Sequence, residues 1–283
     1  MKPIIKYRGG KAKEIPQFKA YIPKKFDTYF EPFFGGGATF FDLEPEKARI
    51  SDLNKNLMDF YLNLKDNFEV VKEELKELET IYYKNKIKYK ENKNKNPDKR
   101  VYDPNEDLYY WIRDQFNNKV LPVYNFATIY FFINKTAYSG MIRYNSKGEF
   151  NVPYGRYANF NTDLLNEEHY QLLKRAEIKN ESYEKSFSLA NENDFLFLDP
   201  PYDTVFSDYG NEVFSGDFTE NEHRELAQNF KNLSSPALMI ISETKLIKDI
   251  YDGYIKSSYS KNYSVNIRNR FKSEANHLII TNY

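Results

Sequence analysis

Two hydrophobic periods alternate along the 283-residue chain. Short apolar runs end in turn residues at Thr28–Glu31, Ala48–Ile50, Phe195–Leu198 and Ala237–Ser242, which predicts buried strands. Between Lys55 and Tyr83 the spacing changes to three and four: Leu57, Tyr61, Leu64, then Val71, Leu75 and Leu78, which predicts helices. Further helices are predicted over about 14–21 (stopped by Pro23), 39–43, 106–117, 123–136 and 218–233. The last has Thr219 as N-cap and Glu222 to complete a capping box. A strand is expected to end near Asn180–Tyr183, and two more to occupy about 263–282 around Arg268, Arg270 and Lys272. Strands alternating with helices give an α/β class, a mostly parallel sheet with an antiparallel pair at its end.

Three stretches break this pattern. Residues 84–100 carry seven lysines and Arg100 against only Glu91 and Asp98, with asparagines between, and read as a flexible basic loop or a frayed helix. That charge either meets nucleic-acid phosphates or is simply solvated. In 136–157, Asn145-Ser146-Lys147-Gly148 is a turn between extended runs, hence a β-hairpin, with Arg143, Lys147 and Arg156 set among aromatics. Such a ribbon fits a DNA major groove, where arginine reads guanine, and it also fits an ordinary surface hairpin. Residues 203–217, with Gly and Ser and few aliphatics, read as a mobile flap.

Composition narrows the field. A chain of this length, 41% apolar, can bury one good core with a smaller appended domain. There is no cysteine, which excludes thiolate chemistry and disulfides. His169, His223 and His277 stand far apart without metal-ligand spacing, so no metal is expected. The N-terminus has no apolar leader and no run is long enough for a membrane span, so a cytoplasmic protein is expected. Net charge is zero, so any nucleic-acid contact must rest on local basic patches. The 25 tyrosines and 23 phenylalanines suit base stacking, but most are more simply core.

The candidate chemistry sits at strand ends. Tyr29-Phe30-Glu31-Pro32-Phe33-Phe34 runs into Gly35-Gly36-Gly37, a strand, glycine loop and helix of the nucleotide-binding kind. No lysine follows the glycines, which argues against a phosphate-gripping loop. Asp52, ending the next strand, is placed for a ribose hydroxyl, while Asp52 or Asn54 could equally cap the following helix. Asp199-Pro200-Pro201-Tyr202 ends the run Phe195–Leu198. Two prolines make a stiff loop without donors, so the Asp199 carboxylate and the Pro200 carbonyl are expected side by side, free of competing donors. An exocyclic amine has two N–H groups to match them, and Tyr202 offers a ring for a flat base.

Taken together and in order, these motifs resemble the Dam-type (D12 class, α group) DNA adenine-N6 methyltransferases. The resemblance rests on Lys6-Tyr7-Arg8-Gly9-Gly10-Lys11, Glu31-Pro32-Phe33 with Gly35–Gly37, Ser51–Asn54, the hairpin Arg143–Tyr157 and Asp199–Tyr202, and spans nearly the whole chain. It implies a Rossmann-like fold dependent on S-adenosylmethionine, with 1–55 and 160–283 as the catalytic domain. Residues 56–159 would be an inserted recognition domain of helices and a β-hairpin, with a basic insert at about 84–107. Tyr7, Lys11, Glu31, Phe33, Gly35, Gly37, Asp52 and Asp199 match cofactor contacts. Asp199 and Pro200 match the acceptors of the adenine amine, and Tyr202 the stacking ring. Lys6, Tyr138, Met141, Arg143 and Pro153 fall on base-reading positions, and Arg156 on a phosphate contact. The implied reaction is methyl transfer to N6 of a flipped adenine in double-stranded DNA, at GATC or, as the rival, another GAT-containing or asymmetric site. A cognate restriction endonuclease is the partner the resemblance allows, in a bacterial or phage-encoded setting.

Two departures bear on specificity: Ser139 stands where the family often has Asn, and the basic insert is longer than in compact relatives. The rival reading is a methyltransferase of an RNA base or a protein amide, which would have no use for a major-groove hairpin. A Rossmann oxidoreductase is disfavoured by the unspaced triple glycine, and a non-catalytic DNA-binding protein by the intact Asp199–Tyr202.

Overall fold

The structure, a computed structural model, describes residues 1–140, 142–203, 218–262 and 274–283. The expected flap beyond Asp203, and the arginines expected between the last two strands, lie outside the described residues. The helices are α1 (Ile15–Phe18), α2 (Ala38–Leu43), α3 (Lys55–Asp66), α4 (Phe68–Lys95), α5 (Pro104–Phe116), α6 (Phe126–Thr136), α7 (Glu167–Lys174), α8 (Tyr183–Leu189), α9 (Glu220–Lys231) and α10 (Lys245–Ile250). The strands are β1 (Tyr29–Glu31), β2 (Ala48–Ser51), β3 (Ala176–Lys179), β4 (Phe195–Leu198), β5 (Ala237–Ser242), β6 (Ile255–Asn262) and β7 (Glu274–Thr281). The chain divides into two compact units, one holding Met1–Gly10 and Asn54–Lys174, the other Lys11–Leu53 and the described residues from Arg175 on.

The second unit is built on a seven-stranded sheet in the order β3-β2-β1-β4-β5-β7-β6. Pairings from β3 to β5 are parallel, and β7 runs antiparallel to both β5 and β6. Every residue of β1, β2, β4 and β5 is buried, as strands covered on both faces require. β3, at one edge, alternates buried and exposed. One core cluster joins Phe30, Leu196, Leu198, Met239 and Ile241 of the sheet to Leu226 and Phe230 of α9 and Ile247 of α10. α9 starts with the expected capping box between Thr219 and Glu222. The first C-terminal strand lies earlier than expected, at Ile255–Asn262. Its run of Ser, Lys and Asn carries too little apolar signal to be read as a strand; pairing with β7 makes it one.

The first unit is helical, and α6 is its centre. Residues Ala127–Asn134 are all buried there, whereas α3 and α4 bury one stripe each. In α4 that stripe is Phe68, Val71, Leu75, Leu78 and Tyr82, and it ends where the basic stretch begins. The expectation of a loop or frayed end over 84–100 is corrected: α4 is one 28-residue helix running unbroken to Lys95. Lysine and glutamate are good helix formers, so the helix outlasts the surface it packs on.

The expected hairpin forms in part: among the described residues of 137–157 the two arms meet at antiparallel bridges, Ala137–Tyr154 and Tyr144–Phe150, not along one continuous ribbon. The turn itself forms: Asn145 Oδ1 accepts from the backbone of Lys147 and of Glu149, both at 3.0 Å. Across the arms Asn145 N donates to Glu149 O at 2.8 Å and Asn151 N to Arg143 O at 3.1 Å, and side chains satisfy the backbone groups that face outward. Asn117 accepts from Phe150 N at 2.8 Å and donates to Phe150 O at 3.0 Å. Tyr109 donates to Val152 O at 2.7 Å and Tyr82 to Tyr157 O at 2.5 Å, while Pro153 has no N–H to give. Tyr82 and Tyr109, both fully buried, thus hold this loop by their hydroxyls.

Candidate active site

In the sheet unit the strand order reverses between β1 and β4, the switch point at whose carboxyl ends α/β folds bind ligands. Glu31 ends β1 and Asp199 follows β4, so the topology sets two carboxyls at that point. Glu31 is 3% exposed. Its Oε2 accepts from Tyr29 Oη at 2.7 Å and from Phe40 N, in the first turn of α2, at 3.2 Å. Burial pushes its carboxyl up to about 8, Asp199 adding to the rise while the two donors oppose it. Glu31 is therefore mostly protonated at neutral pH.

Asp199 is held otherwise. Lys11 Nζ, its side chain 2% exposed, lies 2.6 Å from both Asp199 oxygens and donates to Tyr202 Oη at 2.7 Å. Burial raises the Asp199 carboxyl and Lys11 pulls it back down. The expectation of acceptors without a competing donor is corrected at Asp199: an ammonium from Lys11 already sits on its carboxylate. The two prolines supply no donor, but a cation 188 residues away does. Pro200 is buried and Tyr202 half-buried.

The glycine loop is tied to β2. Phe34 N donates to Ser51 O at 3.0 Å and Gly35 N to Asp52 Oδ2 at 2.9 Å. Gly37 caps α2 at φ 65°, and a Cβ there would lie 2.4 Å from the Phe34 ring, so only glycine closes this turn. Asn180 donates to the Asp52 and Leu53 carbonyls at 2.9 Å. The two candidates for capping α3 separate: Asn54 is the N-cap, accepting from Leu57 N at 3.1 Å, and Asp52 orders the glycine loop. Phe33 is half-buried and stacks on Tyr183, ring centroids 5.6 Å apart.

The residues expected to read DNA lie in the helical unit, as does Tyr7. Asn134 accepts from Lys6 N at 2.9 Å and donates to Lys6 O at 2.8 Å, fixing that backbone, and Lys6 Nζ lies 4.6 Å over the Tyr157 ring. Tyr7 O accepts from Gly10 N at 3.3 Å. Tyr138 is 52% exposed, in a short 3₁₀ turn with Ser139 at φ 57°. Arg143 is exposed, its Nε donating to Asn151 Oδ1 at 3.0 Å. Pro153 is exposed and its carbonyl accepts from Tyr138 N at 2.9 Å. Arg156 pairs with Glu106 of α5 at 2.6 Å. Met141 lies outside the described residues.

Sequence reasoning passed over one group. Glu14, His277, Tyr259 and Lys261 meet in the sheet unit, with Glu14 accepting from the other three at 2.5–2.7 Å. No spacing signals a contact between residues 263 positions apart. Among the described residues no group of His, Asp or Glu could hold a metal ion, and no helix is long and apolar enough to cross a membrane.

A mostly parallel sheet with two carboxyls, a glycine loop and Asp199–Tyr202 at its switch point has the architecture of an α/β enzyme that binds its ligand there. The family model of the D12 class N6 adenine-specific DNA methyltransferases matches residues 7–267, and the chain belongs to that family. It is similar over its whole length to the Type II methyltransferase M.CviBI of Paramecium bursaria Chlorella virus NC1A, with 36% identity and 100% of both chains covered. Type II methyltransferase M1.LlaDCHI of Lactococcus lactis subsp. cremoris is 31% identical over 100% of this chain and 96% of its own. A DNA adenine methylase of Haemophilus influenzae is 28% identical over 89% of this chain and 83% of its own. The protein is thus an adenine-specific DNA methyltransferase, and its seven-stranded sheet is consistent with the fold of such enzymes.

Proposed function

We propose that the protein transfers the methyl group of S-adenosylmethionine to N6 of an adenine flipped out of double-stranded DNA, at GATC or a related GAT-containing site. The observation that carries the chemistry is the Lys11 ammonium on Asp199 and Tyr202. These groups take an N–H donor in the resting protein, in a partly buried site. For a target amine to use them, Lys11 gives up at least one of its three contacts. The Asp199 carboxylate and the Pro200 carbonyl then accept the two amine hydrogens, which localises the lone pair on N6. Asp199 Oδ is the nearest place for the proton that N6 loses once it is methylated. Tyr202 offers the ring on which the flipped base stacks.

The residues fit the cofactor. S-adenosylmethionine supplies an electrophilic methyl on a sulfonium, and its amino and hydroxyl groups would find acceptors in Glu31, Asp52 and Asp199. Glu31, Phe33, Gly35, Gly37, Asp52, Asp199 and Lys11 would hold it, while Tyr7 is assigned to it by resemblance alone. The sheet unit carries the chemistry and the helical unit reads DNA, with Lys6, Tyr138, Met141, Arg143 and Pro153 at bases and Arg156 at a phosphate. The basic half of α4 adds phosphate contacts. A cognate endonuclease as partner is consistent with relatives named Type II methyltransferases.

The test is single-molecule sequencing of plasmid DNA from cells expressing the chain, with Asp199→Ala as control. N6-methyladenine at one short motif, absent with the variant, is the expected result. No marks from folded protein that binds S-adenosylmethionine would overturn the reading in favour of an RNA base or a protein amide.

A further inference from the structure

Behind the Asp199–Tyr202 loop lies a buried polar group to which nothing above gives a role. His277 on β7 is 0% exposed. Its Nδ1 lies 2.7 Å from Glu14 Oε2, and since a carboxylate only accepts, Nδ1 carries the proton. The imidazole stands edge-on to two tyrosine rings, at 5.2 Å and 70° from Tyr202 and at 5.6 Å and 66° from its β6 neighbour Tyr259. Glu14 also accepts from Tyr259 Oη at 2.7 Å and from Lys261 Nζ at 2.5 Å. Its backbone N–H donates to Lys11 O at 2.7 Å, so one residue ties both Lys11 and His277. Burial alone would raise the Glu14 carboxyl, but His277, Lys11, Lys261 and Tyr259 together bring it down to about 2.

The geometry points to Glu14 and His277 as positioning residues for methyl transfer, which lock the plane of the Tyr202 ring and the start of the Lys11 turn. A tyrosine ring attached by two torsions needs an edge contact to hold one plane, and edge-to-face packing at these distances provides it. The His277 ring is itself fixed in one tautomer and orientation by the bond to Glu14. Neither residue touches the reacting amine. Their effect falls on how often a target base finds Tyr202 correctly oriented, and small errors of placement reduce rate steeply. This rests on the proposed role of Tyr202 as the stacking ring.

A double-mutant cycle in single-turnover methylation tests it, with the full-length chain, saturating S-adenosylmethionine and an oligonucleotide carrying the target site in unmethylated form. His277→Leu is expected to slow the chemical step about tenfold while the Kd for cofactor and for DNA moves by less than about twofold. Tyr202→Ala is expected to be slower still, and the double variant no slower than Tyr202→Ala alone. Multiplying effects in the double variant would overturn the positioning role and leave the stacking role standing. An unimpaired Tyr202→Ala would remove both. Should His277→Leu fail to fold, Glu14→Gln, which keeps the shape and one acceptor, is run through the same cycle and the same outcomes decide.

Discussion

Replacing Lys11 with Met removes the cation from a site that has been closed around it. The side chains are similar in length, so packing is largely kept and charge is what changes. Lys11 Nζ contacts both Asp199 oxygens and Tyr202 Oη, and Asp199 keeps 22% of its side chain exposed. Stripping one partner from a buried ion pair costs about 3–5 kcal/mol. Solvent reaches Asp199 in part, so the lower end, about 3 kcal/mol, is expected at about pH 8. For a chain of this size that lowers the melting temperature of the sheet unit by about 6 °C. The sign of the pH dependence follows from the ionised form. Burial already raises the Asp199 carboxyl, and loss of Lys11 raises it further. The deficit is full where Asp199 is ionised in both proteins and shrinks as falling pH protonates it. Below the ordinary aspartate value of 3.8 only the lost hydrogen bonds remain, worth about 1 kcal/mol. Melting curves from about pH 4 to pH 8 for Lys11→Met, Asp199→Asn and the double variant measure this, with the double variant expected to recover part of the loss. A deficit that does not change with pH would refute the assignment of Lys11 as the counter-charge of Asp199.

Glu31→Gln should flatten stability between about pH 4.5 and 8. In that window folded Glu31 holds a proton that the unfolded chain has released, so the wild-type protein loses stability as pH rises, by at most about 5 kcal/mol. Denaturant titrations at both ends read it, and an unchanged slope counts against a protonated Glu31. Arg143→Ala should cost about 1–3 kcal/mol of discrimination between the methylated motif and random DNA if Arg143 reads guanine. Equal losses on both in competition binding would make it a phosphate contact. Exchanging Lys84, Lys88 and Lys95 of α4 for Gln should reduce the salt slope of DNA binding by up to about three, and an unchanged slope would leave that helix end merely solvated.

The local code of this chain carried a good part of the result. Continuous apolar runs such as Phe195–Leu198 and Ala237–Ser242 announce strands buried on both faces, and Thr219 with Glu222 announces the start of α9. Five short motifs in order sufficed for the family, because each sits at a strand end or turn where backbone geometry restricts the residue choice. What folding alone decided was which distant groups meet. Lys11 reaches across 188 positions to Asp199, and Glu14 across 263 to His277. A lone lysine or histidine has no periodicity, so nothing local marks its partner. The turn and the paired arms over 137–157 follow the local sequence, but that Asn117, Tyr109 and Tyr82 hold their outward-facing backbone does not. α4 runs on to Lys95 because good helix formers need no covering surface, a balance that a lysine run does not reveal by its charge. Sequence by itself determined most of the elements and the family; tertiary structure decided which distant groups meet and their charge states, because burial and partners, which set those states, exist only in the fold.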